Sequence, residues 1–468
     1  MSGLFSSLNQ SVGALAAHSR GIETAGRNLS NVNNPDYARQ RVVFGDRGTV
    51  LTPLGAMSLG LQAKGIQQIR DSLLDSQVVR EISLTSSAKA GMNALAKAQA
   101  ALGETIDRTS ATDGSGNSAG LDAVLTNFFN GFQSLAAQPT DVGTRQTLLQ
   151  QATILAERFN QTDARLAQVQ ADLTTEATTD VGEINDLLSA LAELNGQIGR
   201  FEVNVPGSAV DLRDQRQAKL EALASKLTIE TRASPGAPGQ IDVFARDAAG
   251  DPVTLVSLAV ATPVTFDSST LSAGGTAIAL SSGSVQGALA ARDDSVQTLR
   301  DRLDILARQL VISVNDAYNP TGATGDFFDP AGLTAGSIKV AAGLTASTMK
   351  ASDGGAAGDN TLAAAVAALG TQRFAVADGD EFDGSFGQYY SGVVSDFGQS
   401  IAGARNRYDD QSTIETLVRR QRDSVSGVSL DEEMADLLKF QRAFQASSRV
   451  FTVIDQLLDN VVNRLGVG

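Results

Sequence analysis

Large apolar residues recur at alternating steps of three and four at both ends of this chain. Near the C-terminus the series runs Leu430, Leu437, Phe440, Phe444, Ser447, Phe451, Ile454, Leu458, Val461, Leu465. Near the N-terminus it runs Leu4, Leu8, Ser11, Leu15, His18, Ile22, Ala25, Leu29, Val32. An average step of about 3.5 residues puts one stripe on one face of a helix, as in a coiled-coil seam. Leu438, Val450, Val453 and Leu457 widen the C-terminal face beyond what one partner helix covers. Two helices with such stripes must bury them, so the ends read as partners for each other and for other subunits. Each helix taken alone is marginal. The N-terminal one is further weakened by Ser6, Ser7, Asn9, Ser11, Gly13, Ser19, Gly21 and Gly26. Both ends are therefore expected to be disordered in a monomer and to fold on assembly.

Between the ends the pattern changes several times. The run Ser30 to Asp36 is a turn signal, and Arg41–Phe44 and Leu59–Ile69 read as short extended segments. Helices are predicted over Asp71–Asp107, Leu121–Leu135, Asp141 to the stop at Val205-Pro206-Gly207, and Leu212–Leu227, with a loop at Thr112–Asn117. From Thr228 to about Ala288 the period becomes two, with Pro and Gly punctuation, which predicts a small β domain. Helix returns from Asp293 to before Pro320, and again from Phe386 to the break near Gly427. The fold class expected is mainly α with a β insertion. Residues 1–36 and 428–468 form paired coiled-coil helices. Residues 37–230, 290–320 and 386–427 form a helical-bundle body, and 231–289 a removable β domain. The Gly- and Ala-rich segment 321–385 is expected to pack near the body or the β domain.

Composition narrows the function. Lys and Arg number 37 against 52 Asp and Glu, a net charge of −15. That argues against nucleic acid, which needs a basic footprint, and against anionic membrane surfaces. The chain has no cysteine, so disulfides and thiolate metal sites are excluded. The first basic residue is Arg20 and no compact apolar run follows the start, so no cleavable signal peptide is expected.

Catalytic chemistry is missing. His18 is the single histidine and sits on the seam. No HExxH, phosphate loop or dinucleotide fingerprint occurs. Asp378, Asp380 and Asp383 lie in a stretch similar to a calcium loop, but Asp383 and Tyr389 stand where Gly and Glu are needed. It reads as a solvated loop. No catalytic, cofactor or metal residue is expected.

The stretch from Asn28 to Gln40, through Asn31, Asn33, Tyr37 and Arg39, resembles the N-terminal signature of bacterial flagellar rod, hook and hook-associated axial proteins. Gly427, Leu430, Glu432 and Gln441, within Ser426–Glu433 and Leu438–Ala446, resemble the matching C-terminal signature. Internal segments are similar to the hook-associated protein 1 family. They are Asp122–Gln133, Pro139–Gln146, Glu157–Gln161, Leu194–Ile198, Asp211–Arg216 and Gly325–Phe328. The signature departs at Asn34 and Asp36, where the family has Thr and Gly; Gly there would allow a left-handed turn.

The resemblance implies a structural adaptor between flagellar hook and filament. The subunits would form a ring in a helical tube, with terminal helices inside and the β domain outside. Partners implied are other copies, the hook protein, the filament-side hook-associated junction protein, an export chaperone and the type III export apparatus. The location implied is extracellular. Assembly would rest on Leu8, Leu15, Ile22, Leu29, Leu437, Phe440, Phe444, Phe451, Ile454, Leu458, Val461 and Leu465. A hook or rod protein of the same class is the alternative; the long helix from Asp141 and the Asp211–Arg216 segment speak against it. An enzyme or a surface adhesin fits the residues less well.

Overall fold

The computed structural model describes residues 2–52, 55–103, 120–323, 325–354, 356 and 358–461. The chain opens with helix α1, Ser2–Ser30. Strands β1 Gln40–Asp46, β2 Thr49–Thr52, β3 Gly55–Ser58 and β4 Leu61–Gln68 follow. Helices α2 Ser72–Leu102, α3 Leu121–Ala137, α4 Val142–Glu202 and α5 Val210–Lys226 come next. Strands β5 Glu230–Ala233, β6 Ile241–Arg246, β7 Pro252–Ser257, β8 Val260–Ala261, β9 Val264–Phe266, β10 Leu271–Ala273 and β11 Thr276–Ala277 succeed them. Helix α6, Ser284–Ala290, continues through a π-helical turn into α7, Gln297–Tyr318. The chain closes with α8 Thr361–Leu369, α9 Phe386–Ser426 and α10 Leu430–Asp459. The fold is mainly α, with small antiparallel sheets. The predicted extension of α2 to Asp107 and the loop at Thr112–Asn117 lie outside the described residues.

Local chemistry sets the helix ends. Asp71 caps α2, its Oδ1 accepting from Leu73 N–H at 2.8 Å. Asp141 caps α4 through Thr144 N–H at 2.8 Å. At the end of α9, Gly427 N–H closes on Asp423 O at 2.7 Å, and a Cβ there would lie 2.4 Å from that oxygen. The stop near Gly427 thus has a steric cause.

The chain divides into two compact units, with the division falling within α2, α4 and α9. One unit comprises Ser86–Asp180 and Ser284–Asp410. Its core gathers aromatic rings that are only 5% of the chain. Fully buried Phe128 has Phe129, Phe132, Phe327 and Phe328 at ring-centroid distances of 5.2, 5.2, 5.8 and 5.6 Å. Asn315 Oδ1 accepts from the backbone N–H groups of Phe327 and Phe328 at 3.1 and 2.9 Å, holding that loop against α7. Within the Gly- and Ala-rich segment, α8 packs on α3 and α7. The sequence showed no period there because a run of Ala and Leu has too few polar positions to mark a face.

The other unit comprises Met1–Thr85, Val181–Gly283 and Gln411–Gly468. Strand β1 pairs antiparallel with β4, with a bulge between Val43 and Phe44, and β2 pairs with β3. The sheet β5-β6-β7-β8 and the sheet β11-β10-β9 lie in this unit. They are not the separable insertion that the Pro/Gly punctuation suggested. Asn185 exchanges two hydrogen bonds with the backbone of Val264, at 2.7 and 2.9 Å. Asn195 donates to Ile241 O at 2.6 Å. Buried Arg216 donates to Asn195 Oδ1 at 2.9 Å and to Gly239 O at 2.7 Å. Helices α4 and α5 therefore use the strands to satisfy their own buried polar groups. The strands also end at Ala277, and helix resumes at Ser284, before the expected return.

The terminal helices form in the single chain. The expectation of disorder treated each as a lone helix, but each has a partner. Helix α1 packs on α10, β1 and β4.

Candidate functional site at the base of the terminal helices

The seam between α1 and α10 is built differently on its two sides. On α10, Ile454 and Leu458 are buried, and Leu437, Phe440, Phe451 and Val461 are half-buried. Phe444 is 37% exposed and Leu430 47%, so both remain open to a further surface. Leu465 lies outside the described residues. On α1, Leu8, Leu15, Ile22 and Leu29 are only half-buried. The most buried α1 positions are Ser11, Ala17, Gly21, Thr24, Ala25 and Asn28. Small residues let the helices approach closely. A Cβ on Gly21 would lie 2.7 Å from the Phe440 ring. Phe440 in turn meets Phe44 of β1, ring centroids 5.8 Å apart. The Ser and Gly content that weakens α1 as an isolated helix is what seats Phe440.

Below this seam the two terminal signatures meet in one polar knot. The Asn28 amide is fully engaged. Its Nδ2 donates to Gln40 O at 2.8 Å and to Glu433 Oε2 at 2.9 Å. Its Oδ1 accepts from Gln40 N–H at 3.0 Å and from the Tyr37 hydroxyl at 2.8 Å. Glu433, 3% exposed, also accepts from Arg39 Nε at 2.6 Å. Arg39 reaches Glu432 through its other arm, and its backbone N–H donates to Ser426 O at 2.8 Å. Helix α5 closes the third side. Asp211 accepts from Gln40 Nε2 at 3.1 Å, and Asp214 from Ala38 N–H at 3.3 Å. The Asp211–Arg216 segment and both signatures thus meet around the start of β1.

A second layer of ion pairs supports the knot. Arg70 lies between Asp75 and Asp214, at 3.2 and 2.5 Å. Burial pushes both carboxyls above their ordinary range despite the guanidinium. Burial likewise raises the Tyr37 phenol, with Asp214 and Asp211 adding to the effect. Arg419 and Arg422 both hold Glu221, at 3.0 and 2.6 Å. Glu202 is fully buried at the end of α4. Burial would raise its carboxyl, but the Arg213 fork at 2.7 Å and the N–H groups of Gly207 and Ala209 outweigh that and hold it low.

The remaining signature residues are peripheral. Asn31 caps the last turn of α1 through Arg27 O at 2.9 Å; Asn33 and Gln441 are exposed. The turn after α1 needs no left-handed residue. Among the described residues the non-glycine positions with positive φ are Leu258 and Ser268, so neither Asn34 nor Asp36 adopts it. Asn34 Oδ1 instead accepts from Asp36 N–H at 3.1 Å. Sequence reasoning missed Arg70, Asp75 and Glu202. Arg70 reaches Asp214 across 144 positions, and nothing local distinguishes Glu202 from an ordinary charge at a helix end.

No group of His, Asp or Glu among the described residues could hold a metal ion. Asp380 accepts from Gln309 Nε2 and Ala375 N–H, both at 2.9 Å, and Asp383 from Val376 N–H at 3.0 Å, so these carboxylates brace their own loop. Burial lowers the His18 imidazole below its ordinary value. What the arrangement can do is lock the two chain ends together.

Known proteins are similar to this chain in sequence. The family model described as the flagellar hook-associated protein FlgK helical domain matches residues 107–328. The one described as the flagellar basal body rod FlgEFG protein C-terminal region matches 420–465. Flagellar hook-associated protein 1 of Bacillus subtilis (strain 168) is 29% identical over 524 residues, spanning 100% of both chains. Over its whole length, therefore, the chain is similar to flagellar hook-associated protein 1. Its Escherichia coli (strain K12) relative of the same name is 22% identical, over 97% of this chain and 99% of that one. The solved flagellar hook junction protein FlgK from Burkholderia pseudomallei aligns at a TM-score of 0.44 and 23% identity, over 52% of this chain and 43% of that one. The internal match runs through α3, α4 and α5, and the C-terminal match through the end of α9 and α10.

Proposed function

We propose that this chain is the structural junction protein of a bacterial flagellum, joining hook to filament as a ring of subunits in the axial tube. It is not an enzyme. The observation that carries this reading is the convergence of both chain ends with α5 on Asn28, Gln40 and Glu433. That knot fixes α1 and α10 as one paired element with an apolar face left over: Leu430, Met434, Leu438, Val450, Val453 and Leu457 are each 47–55% exposed. A paired element with a free apolar stripe is suited to packing against copies of itself. The C-terminal match alone would suit a hook or rod protein, but the match over 107–328 favours the hook-associated one.

The partners in this reading are further copies, the hook protein, the filament-side hook-associated junction protein, and an export chaperone with the type III apparatus. No helix among the described residues is long and apolar enough to cross a membrane. Deleting the gene tests the reading. Cells should keep hooks, lose filaments and release unpolymerised filament subunits into the medium. Filaments of normal length on such cells would overturn it.

A further inference from the structure

Phe440, which meets Gly21 of α1, and buried Ile454 and Leu458 mark one side of α10. Asp431, Arg442 and Arg449 lie on the other side, within about 20° of one line at about 100° per residue. All three are exposed, and none makes an ion pair among the described residues. Leu438 and Val453, 51% and 55% exposed, lie within about 40° of the same line. Read upward, this face runs acid, apolar, cation, cation, apolar. Two intervals along it coincide. Leu438 to Val453 is about 15 residues, and Asp431 to the midpoint of the two arginines is about the same, roughly 22 Å at about 1.5 Å per residue.

We propose that this face docks on the same face of an adjoining copy that runs in the same direction and is displaced by that interval along the helix axis. The proposal rests on the assembly reading above and adds the register between copies. The displacement seats Asp431 of one copy between Arg442 and Arg449 of the next, within one turn of each, and sets Leu438 against Val453. Zero displacement, as in a flat ring, puts Asp431 on Asp431 and the arginines on themselves. That sets like charge on like between copies that already carry −15 each. An antiparallel copy with the same charge seat would set Leu438 against Lys439. A contact between two different stretches of one face does not close on itself, so each copy in the ring stands higher along the tube than the last.

The chain has no cysteine, so the displacement can be measured by cross-linking. Leu438→Cys and Val453→Cys place two thiols roughly 22 Å apart on one helix. A disulfide tolerates only about 7 Å between Cα atoms, so the two cannot join within a chain. In purified flagella carrying the doubly substituted chain, mild oxidation should give disulfide-linked multimers. Either single variant should stay monomeric. Dimers of a single variant would put the copies in register and overturn the displacement. No multimers of the double variant, with the chain present in the flagella, would overturn the contact. Charge reversal tests the seat independently, and decides alone should the cysteine variant fail to enter flagella. Arg442→Glu with Arg449→Glu should leave melting of the soluble chain unchanged and cut its amount in purified flagella at least about tenfold. Adding Asp431→Arg restores opposite signs and should restore incorporation. Normal incorporation of the double reversal, or a loss that Asp431→Arg does not rescue, overturns the seat. Absence of the unsubstituted chain from purified flagella would sink the assembly reading itself, and the register with it.

Discussion

Asn28 is the residue on which the base of the terminal helices turns. Both amide protons and both acceptor positions are engaged, with Gln40, Glu433 and Tyr37 as partners. Asn28→Ala should cost about 1–3 kcal/mol for each buried partner left unsatisfied, read from urea denaturation of the soluble chain. A loss within experimental error would show that the knot does not hold the ends. Asn28 stood out in the sequence only through resemblance, since nothing local says that its partner is Glu433, 405 positions away. Glu202 carries a pH signature. Its folded carboxyl is held below the ordinary value, so it binds its proton less readily folded than unfolded. Its contribution is present above about pH 4.3 and is lost as pH falls through the folded value. Asp75 and Asp214, raised by burial, act in the opposite sense, so the comparison must be made between variants. The melting gap between the native chain and Glu202→Gln should be widest near neutral pH and close under acid. A gap that stays constant down to about pH 3, below the ordinary carboxylate range, would contradict the assignment.

Among the elements, helix positions were legible because capping residues and three-and-four spacing are local. Asp71, Asp141 and Gly427 set ends close to those predicted. The face of α1 was not legible. Its leucines drew attention, but tight packing falls on Gly21, Ala25 and Asn28, and the value of Gly21 depends on Phe440 coming from the far end of the chain. Gly21→Ala should destabilise by about 1–3 kcal/mol through overpacking against that ring. Phe440→Ala in the same chain should relieve the clash, giving a non-additive double-mutant cycle. Additivity would mean that the two do not meet. The strands were legible as β, but not their role. Alternation says that a strand is half-buried and not which helix covers it. Replacing residues 231–283 with a short linker should strand Asn185, Asn195 and Arg216 and abolish cooperative unfolding of that unit. An unchanged helical melt would restore the separable insertion.

For the whole molecule, the proposed function divides the terminal helices between a face that closes the chain and a face left for assembly. On that proposal Phe444 falls on the second, being 37% exposed on a helix whose Phe440 and Phe451 are half-buried. Phe444→Asp should leave the soluble chain's melting within about 0.5 kcal/mol, as for other surface changes. In the assembled ring the same charge would be buried and unpaired in every subunit, and incorporation should fail. A markedly unstable soluble variant would place Phe444 in the core instead. The central claim is that this chain occupies the junction between hook and filament. Antibody labelling of purified intact flagella, viewed by electron microscopy, tests that most directly. The account predicts a narrow band of label at the hook–filament boundary, and label along the whole hook or on the rod would contradict it.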